Sequence, residues 1–275
     1  MTTNMSIRDA LYEAPGKKTK RRIAVATGLS VLVLTVLIIL MIRQFYVTGQ
    51  LGEKYWSLFT KPTTWAFLGQ GLLVTVEVAL CAAVMAFVLG FVFMRARLSG
   101  IRAVRWLGMV LTEFSRGVPT LLFIYFFFLI VPQLGIRMSS FWKIACPCAI
   151  SACGVVAEVF RSGVNAVPRG QREAALSLGL SERKTFYRII FPQALRYVIP
   201  TLIAELVIVL KDTTFAYVVS CADLMQNAKV LISNYDALLS VYLVVAIIYI
   251  LINYLLNKLS DRMTRRMKRT GSKAA

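Results

Sequence analysis

Residues 66–94 read AFLGQGLLVTVEVALCAAVMAFVLGFVFM, and Glu77 is the only charge in the run. About 20 apolar residues in a helix cross the roughly 30 Å of hydrocarbon in a bilayer, so this stretch is long enough to span with a tilt. It lacks the two-residue alternation of a barrel strand. Arg95 and Arg97 follow at once and mark where the chain leaves the apolar phase. Five further runs have the same character: Ile23–Ile42, Trp106–Val131, Phe141–Phe160, Tyr197–Val219 and Ala237–Asn257. The sequence therefore predicts an all-α integral membrane protein with six transmembrane helices. A soluble domain needs a polar surface, and a chain that is 58% hydrophobic and 16% charged, with its apolar residues in blocks, cannot supply one.

The third run is broken. Arg116-Gly117-Val118-Pro119 sets a charge and a helix breaker between an interfacial part and Leu121–Val131, so the chain is expected to enter the bilayer near Pro119.

The chain carries 32 basic and 13 acidic residues, a formal net charge of +19. The basic residues lie between the apolar runs with no groove of interleaved aromatics, so the excess reads as topology and anionic-lipid attraction, not nucleic-acid binding. Assigning the N-terminal tail, Arg95–Arg105, Arg161–Arg196 and the C-terminal tail to the cytoplasm places 24 of the 32 basic residues inside. Both termini are then cytoplasmic, in a multi-pass membrane protein; the family resemblance given below implies that the membrane is a bacterial cell membrane. Four segments are expected: a disordered tail over 1–22, an additional N-terminal helix and external loop over 23–65, a transmembrane domain over 66–260, and a basic tail over 261–275. The Arg262–Lys273 cluster within the last reads as a lipid-facing retention signal.

There is no histidine, which removes histidine acid–base catalysis and histidine metal sites. Of the five cysteines, Cys81, Cys146, Cys148, Cys153 and Cys221, four lie in apolar runs and read as small hydrophobes. Cys146-Pro147-Cys148 resembles a soft-metal passage motif, but ordinary packing with a proline kink is the preferred reading. No metal or cofactor is expected, and no glycine-rich phosphate loop is present, so the chain should hydrolyse nothing by itself.

The connection Arg161–Arg196 is patterned. Pro168 and Gly170 oppose helix, Gln171–Leu178 reads as a short helix, and Gly179 can stop it in a left-handed conformation. Ser181 can cap a second helix running to Phe191, with Pro192 ending it. The result is a helical hairpin on the cytoplasmic face, in which Ala174 and Ala175 beside Glu173 permit close approach of another protein.

Glu173-Ala174-Ala175, Gly179, Ile189 and Pro192 resemble, spacing included, the EAA signature of ATP-binding-cassette importer permeases. Val167-Pro168-Arg169-Gly170-Gln171, Phe191-Pro192-Gln193-Ala194-Leu195-Arg196, Phe114-Ser115-Arg116-Gly117-Val118-Pro119, Ala157-Glu158 with Arg161, and Lys211-Asp212-Thr213-Thr214 are similar to stretches of the polar amino-acid uptake group. The resemblance runs from about Gly69 to Asn257 and implies a five-helix permease core, to which Ile23–Ile42 is an addition resembling glutamate-uptake permeases. It implies that Gly170, Gln171, Glu173, Ala174, Ala175 and Gly179 dock into a dimeric cytoplasmic ATP-binding subunit and receive its motion. It further implies a second permease copy or a sister permease, an external solute-binding protein, and import of a polar amino acid such as glutamate; glutamine, arginine and cystine are the alternatives. An ion-coupled secondary transporter would show inverted repeats, and none is visible.

Charges inside a bilayer cost about 2.5–3.5 kcal/mol each on insertion scales and so face a cavity or a partner. Glu77, Glu113, Glu158, Glu205, Lys211 and Asp212 are such groups. Glu158 and Arg161 can pair at i, i+3. Glu77, Glu205, Lys211 and Asp212 are candidates to line the translocation path, or else to hold helices together.

Overall fold

The computed structural model describes residues 16–271, with side chains through residue 264. It divides into two units, one ending at Trp56 and one beginning at Ser57. In the first, helix α1 (Lys17–Val47) is followed by a short α2 (Glu53–Trp56). Helix α1 starts six residues before Ile23, so Lys17–Arg22 are helical where a disordered tail was expected. Residues 1–15 of that expected tail lie outside the described residues.

The second unit holds α3 (Pro62–Arg97), α4 (Arg102–Gly117), α5 (Thr120–Tyr125), α6 (Ser140–Ala166), α7 (Arg169–Ser177), α8 (Glu182–Thr185), α9 (Phe191–Asp212), α10 (Leu224–Tyr235) and α11 (Leu238–Gly271). Helices α1, α3, α6 and α11 are long and apolar enough to cross a membrane, and α4 with the segment Thr120–Leu134 forms a bent pair that makes five. The expected count of six rests on α9, whose 22 residues are about 33 Å long. Helix α11 continues to Gly271, so residues 261–271 extend a helix. Of the expected Arg262–Lys273 cluster, all but the first residues lie beyond the described side chains.

The break at Pro119 is where the sequence placed it. The chain turns by 96° between Arg102–Gly117 and Thr120–Leu134. Val118 is extended (φ −90°, ψ 125°), as the ring of a following proline requires, and Pro119 takes the N-cap position of α5.

Helix α6 is the centre of the unit, packed by α3, α4, α5 and α9. Its buried side chains are mostly small, among them Ala145, Cys148, Ala149, Ala152, Gly154, Ala157 and Gly163. A Cβ at Gly154 would lie 2.7 Å from the Thr112 carbonyl oxygen of α4, and one at Gly163 would lie 2.5 Å from Val198 of α9. Small side chains thus set how closely these helices meet. Pro147 lies inside α6 as read, with Cys146 half-buried and Cys148 buried, both free thiols. Among the described residues no group of three or more Cys, Asp or Glu is placed to hold a metal.

On the end away from the hairpin, α10 packs on α3 and α11. Asp223 caps α10, its Oδ1 accepting from the Gln226 backbone N–H at 2.8 Å, while Oδ2 meets no donor among the described residues. Thr75 accepts from the Leu224 N–H at 3.0 Å, and Asn227 donates to the Phe67 carbonyl at 2.8 Å. Burial pushes the Asp223 carboxyl up to about 6, against the pull of the helix N–H groups that it caps. Its ordinary value, the one it takes unfolded, is lower. The folded chain therefore holds this proton to higher pH, and stability should fall as pH rises through roughly 4 to 6. At pH 7 the ionised group costs about 2–3 kcal/mol. Asp223→Asn keeps a capping side chain, so its thermal midpoint at pH 7 should exceed that of the native protein, with a flatter profile between roughly pH 4 and 6. Circular dichroism of the detergent-solubilised protein measures this, and identical profiles would show that the carboxyl is not the source.

Candidate functional site

Two places hold residues singled out by sequence: an apolar pocket between α3, α6 and α9, which holds Glu205, and the hairpin between α6 and α9.

The cavity has a volume of about 280 Å³. Its walls include Leu80, Val84 and Phe87 from α3, Ala152 and Val156 from α6, and Leu202 and Val209 from α9. Glu205 is the single charged residue among them and is 8% exposed. A lone carboxylate against apolar walls has a strong demand for water or a cation.

The other three path candidates lie elsewhere. Glu77 is exposed and does not line the cavity, although Leu80 and Val84 on the same helix do. Lys211 is exposed, whereas Asp212 is half-buried and accepts a hydrogen bond from Thr120 Oγ1 at 2.8 Å. Thr120 gives its one proton to Asp212, so Ser151, 2.8 Å away, donates to it. Asp212 thus ties α5 and α6 to α9 by hydroxyls, not by an ion pair. Thr213 and Thr214 bond back to the carbonyls of Leu210 and Lys211, both at 2.7 Å, and α9 passes there into a 3-10 turn over Thr213–Val219.

Near the hairpin, Glu158 pairs with Arg161 as expected and also receives Arg97 of α3 at 2.9 Å. Glu113 and Arg116 form an exposed i, i+3 pair at 3.4 Å.

In the hairpin, Pro168 is the N-cap of α7, so Gly170 falls inside its first turn and not before it. Gly179 has φ +78°, and the Leu180 N–H reaches back to the Ala175 carbonyl at 3.2 Å, closing the helix end as glycine allows. Ser181 caps α8 by accepting from the Lys184 N–H. Arg172 and Glu182 bridge the two helices at 2.8 Å, and Gln193 of α9 donates to Gln171 Oε1 at 3.3 Å. Pro192 does not end the second helix. The chain instead widens into a π-turn over Phe186–Ile190 and continues as α9, with Pro192 in its first turn. The missing N–H costs little there, because the helical ladder is already interrupted by the π-turn just before it.

Ala175 is buried, while Gly170, Gln171, Glu173 and Ala174 are exposed along one edge. Leu178 beside them is 83% exposed, an apolar knob that sequence reasoning passed over. Its place directly before the left-handed glycine was the available signal.

The unit is thus all-helical, with an exposed helical hairpin and a half-open, mostly apolar pocket that holds Glu205. The chain belongs to the family described as the binding-protein-dependent transport system inner membrane component, which matches residues 86–269. It is a multi-pass component of the inner membrane. The glutamate transport system permease protein GluD of Corynebacterium glutamicum is 33% identical over 183 residues, 65% of this chain and 67% of that protein. The probable glutamine ABC transporter permease protein GlnP of Bacillus subtilis is 34% identical over 166 residues, 60% of this chain and 76% of that protein. A crystal structure of an amino acid ABC transporter with histidines matches with a TM-score of 0.70 at 26% identity, covering 76% of this chain and 98% of that one.

The hairpin geometry ranks its supports. A side chain at the left-handed Gly179 costs about 1–2 kcal/mol, and the exposed Arg172–Glu182 pair contributes at most about 1 kcal/mol. Gly179→Ala should therefore speed amide exchange of α7 and α8 by about tenfold, and Arg172→Ala by less than about fivefold. Exchange mass spectrometry gives the order directly; a larger effect at Arg172 would reverse the ranking.

Proposed function

We propose that this chain is the permease subunit of an ATP-binding-cassette importer that brings a polar amino acid into the cell. The observation that carries the reading is the exposed hairpin with its EAA spacing, continuous through α9 with a wall of the Glu205 cavity. ATP is hydrolysed by a separate cytoplasmic subunit, a dimer that receives the edge Gly170, Gln171, Glu173, Ala174 and Ala175, with Gly179 fixing the turn beyond it. Both chain termini lie in the cytoplasm, on the hairpin side.

A second permease, identical or a sister chain, completes the path. Glu77 supports this: an exposed carboxylate far inside α3 is costly against lipid, so that face meets a partner or water. An external binding protein delivers the solute, and alternating access moves it past Glu205. Every free amino acid carries an ammonium group, the cation that a lone carboxylate in an apolar chamber fits. Within the class we favour glutamate, in keeping with the relative that bears that name; glutamine is the nearest competitor. Asp212 lies beyond the pocket as a tie between helices, and we keep the exposed Lys211 beside it as a candidate path residue.

The test is uptake of radiolabelled glutamate and glutamine into liposomes holding this chain with its ATPase and binding protein. Glu205→Gln removes the charge and keeps the shape, so uptake should fall about tenfold or more while the complex assembles and remains as heat-stable as before. Undiminished uptake would remove Glu205 from the path. Glu173→Lys should abolish transport through loss of the ATPase contact, and normal transport would end the coupling role.

A further inference from the structure

Arg95 sits in the last turn of α3 and makes no ion pair among the described residues, whereas Arg97 pairs with Glu158. Its guanidinium lies over two rings of the π-turn instead. Cζ is 4.2 Å from the Phe186 centroid and 5.6 Å from that of Tyr187. Residues Phe87, Phe91 and Arg95 recur every four positions and so form one stripe along α3. Phe87 lines the cavity and meets Phe160 of α6 edge to face at 4.9 Å. Phe91 meets Phe191, the first residue of α9, at 4.9 Å, and Phe186 stacks on Phe191 at 5.8 Å. Aromatic rings therefore run without a gap from the hairpin's exit to the chamber wall.

The two walls of the chamber receive the hairpin differently. Helix α9 follows it covalently. Helix α3 is far away in sequence and touches the π-turn through Arg95 and Phe91. A π-turn interrupts the regular helical ladder and is found frequently at functional sites. A contact bridging that point decides whether α3 moves along with the hairpin or is left behind.

We propose that Arg95, held over Phe186 and Tyr187, is the positioning residue that transmits hairpin movement to the α3 wall of the chamber. This rests on the coupling reading above. Without Arg95 the hairpin would still dock and the partner would still hydrolyse ATP, but only the α9 wall would respond, and nucleotide would be spent without import.

The experiment measures substrate imported per ATP hydrolysed by the complete transporter in liposomes, with radiolabelled glutamate and glutamine as probes. A native complex that imports neither would undercut the functional reading, not this contact. Given import, Arg95→Met should keep assembly and ATP hydrolysis while import per ATP falls about tenfold, within the range of a single coupling contact. Arg95→Lys, which keeps a cation over the rings, should restore most of it. Phe186→Leu should repeat the defect, and Phe186→Trp, which keeps a ring face, should not. A general packing defect would not follow charge at residue 95 and ring character at residue 186. Unchanged import per ATP in an assembled Arg95→Met complex overturns the proposal. If that variant does not assemble, Phe186→Leu decides in the same way, and failure of both to assemble makes the contact structural only and overturns it too.

Discussion

Hydrocarbon gives two helices no reward for hiding apolar surface from each other, so their association depends on close fit and on the polar ties between them. Helix α6 meets this constraint with Ala145, Ala149, Ala152, Gly154, Ala157 and Gly163, small residues that allow close approach of α3, α4 and α9. The rest of the second unit follows from that. Helix α4 reaches Gly154, α9 reaches Gly163, and α3 presses its own Gly90 against Val156 and the Cys153 carbonyl. The pocket lies between α3, α6 and α9, with Phe87, Leu202 and Leu206 among its larger lining residues. The same closeness brings Thr120, just past the 96° bend, to Ser151 and Asp212.

Much of this was legible in the sequence because it depends on local chemistry. Long apolar runs gave the spans, Pro119 gave the bend, and Gly179 and Ser181 gave the turn of the hairpin with its stop and its cap. The pairing of Glu158 with Arg161 needed only a helix and a spacing. What the sequence misplaced depends on neighbours. Pro192 reads as a stop in isolation but sits harmlessly in a first turn, because the preceding residues open into a π-turn that no composition announces. Lys17–Arg22 read as tail because basic residues are common there, yet they are good helix formers attached to a helix.

The membrane charges show the same limit. As letters, Glu77, Glu205 and Asp212 are equivalent carboxylates in apolar runs. Only the packing distinguishes an exposed one, one in a chamber and one held by a hydroxyl. Likewise Arg95 and Arg97 look like a pair of terminal cations, and the fold gives one to a carboxylate and the other to aromatic rings.

The scarcity of polar groups around Glu205 carries a last consequence. A pocket with one carboxylate and oily walls can pair with the ammonium group of an amino acid, which all of them share. It offers few donors or acceptors with which to read the side chain. On the proposed reading, such a chamber is a turnstile and not a lock. Discrimination falls to whatever loads it from outside, and the passage itself stays loose enough to release its passenger quickly.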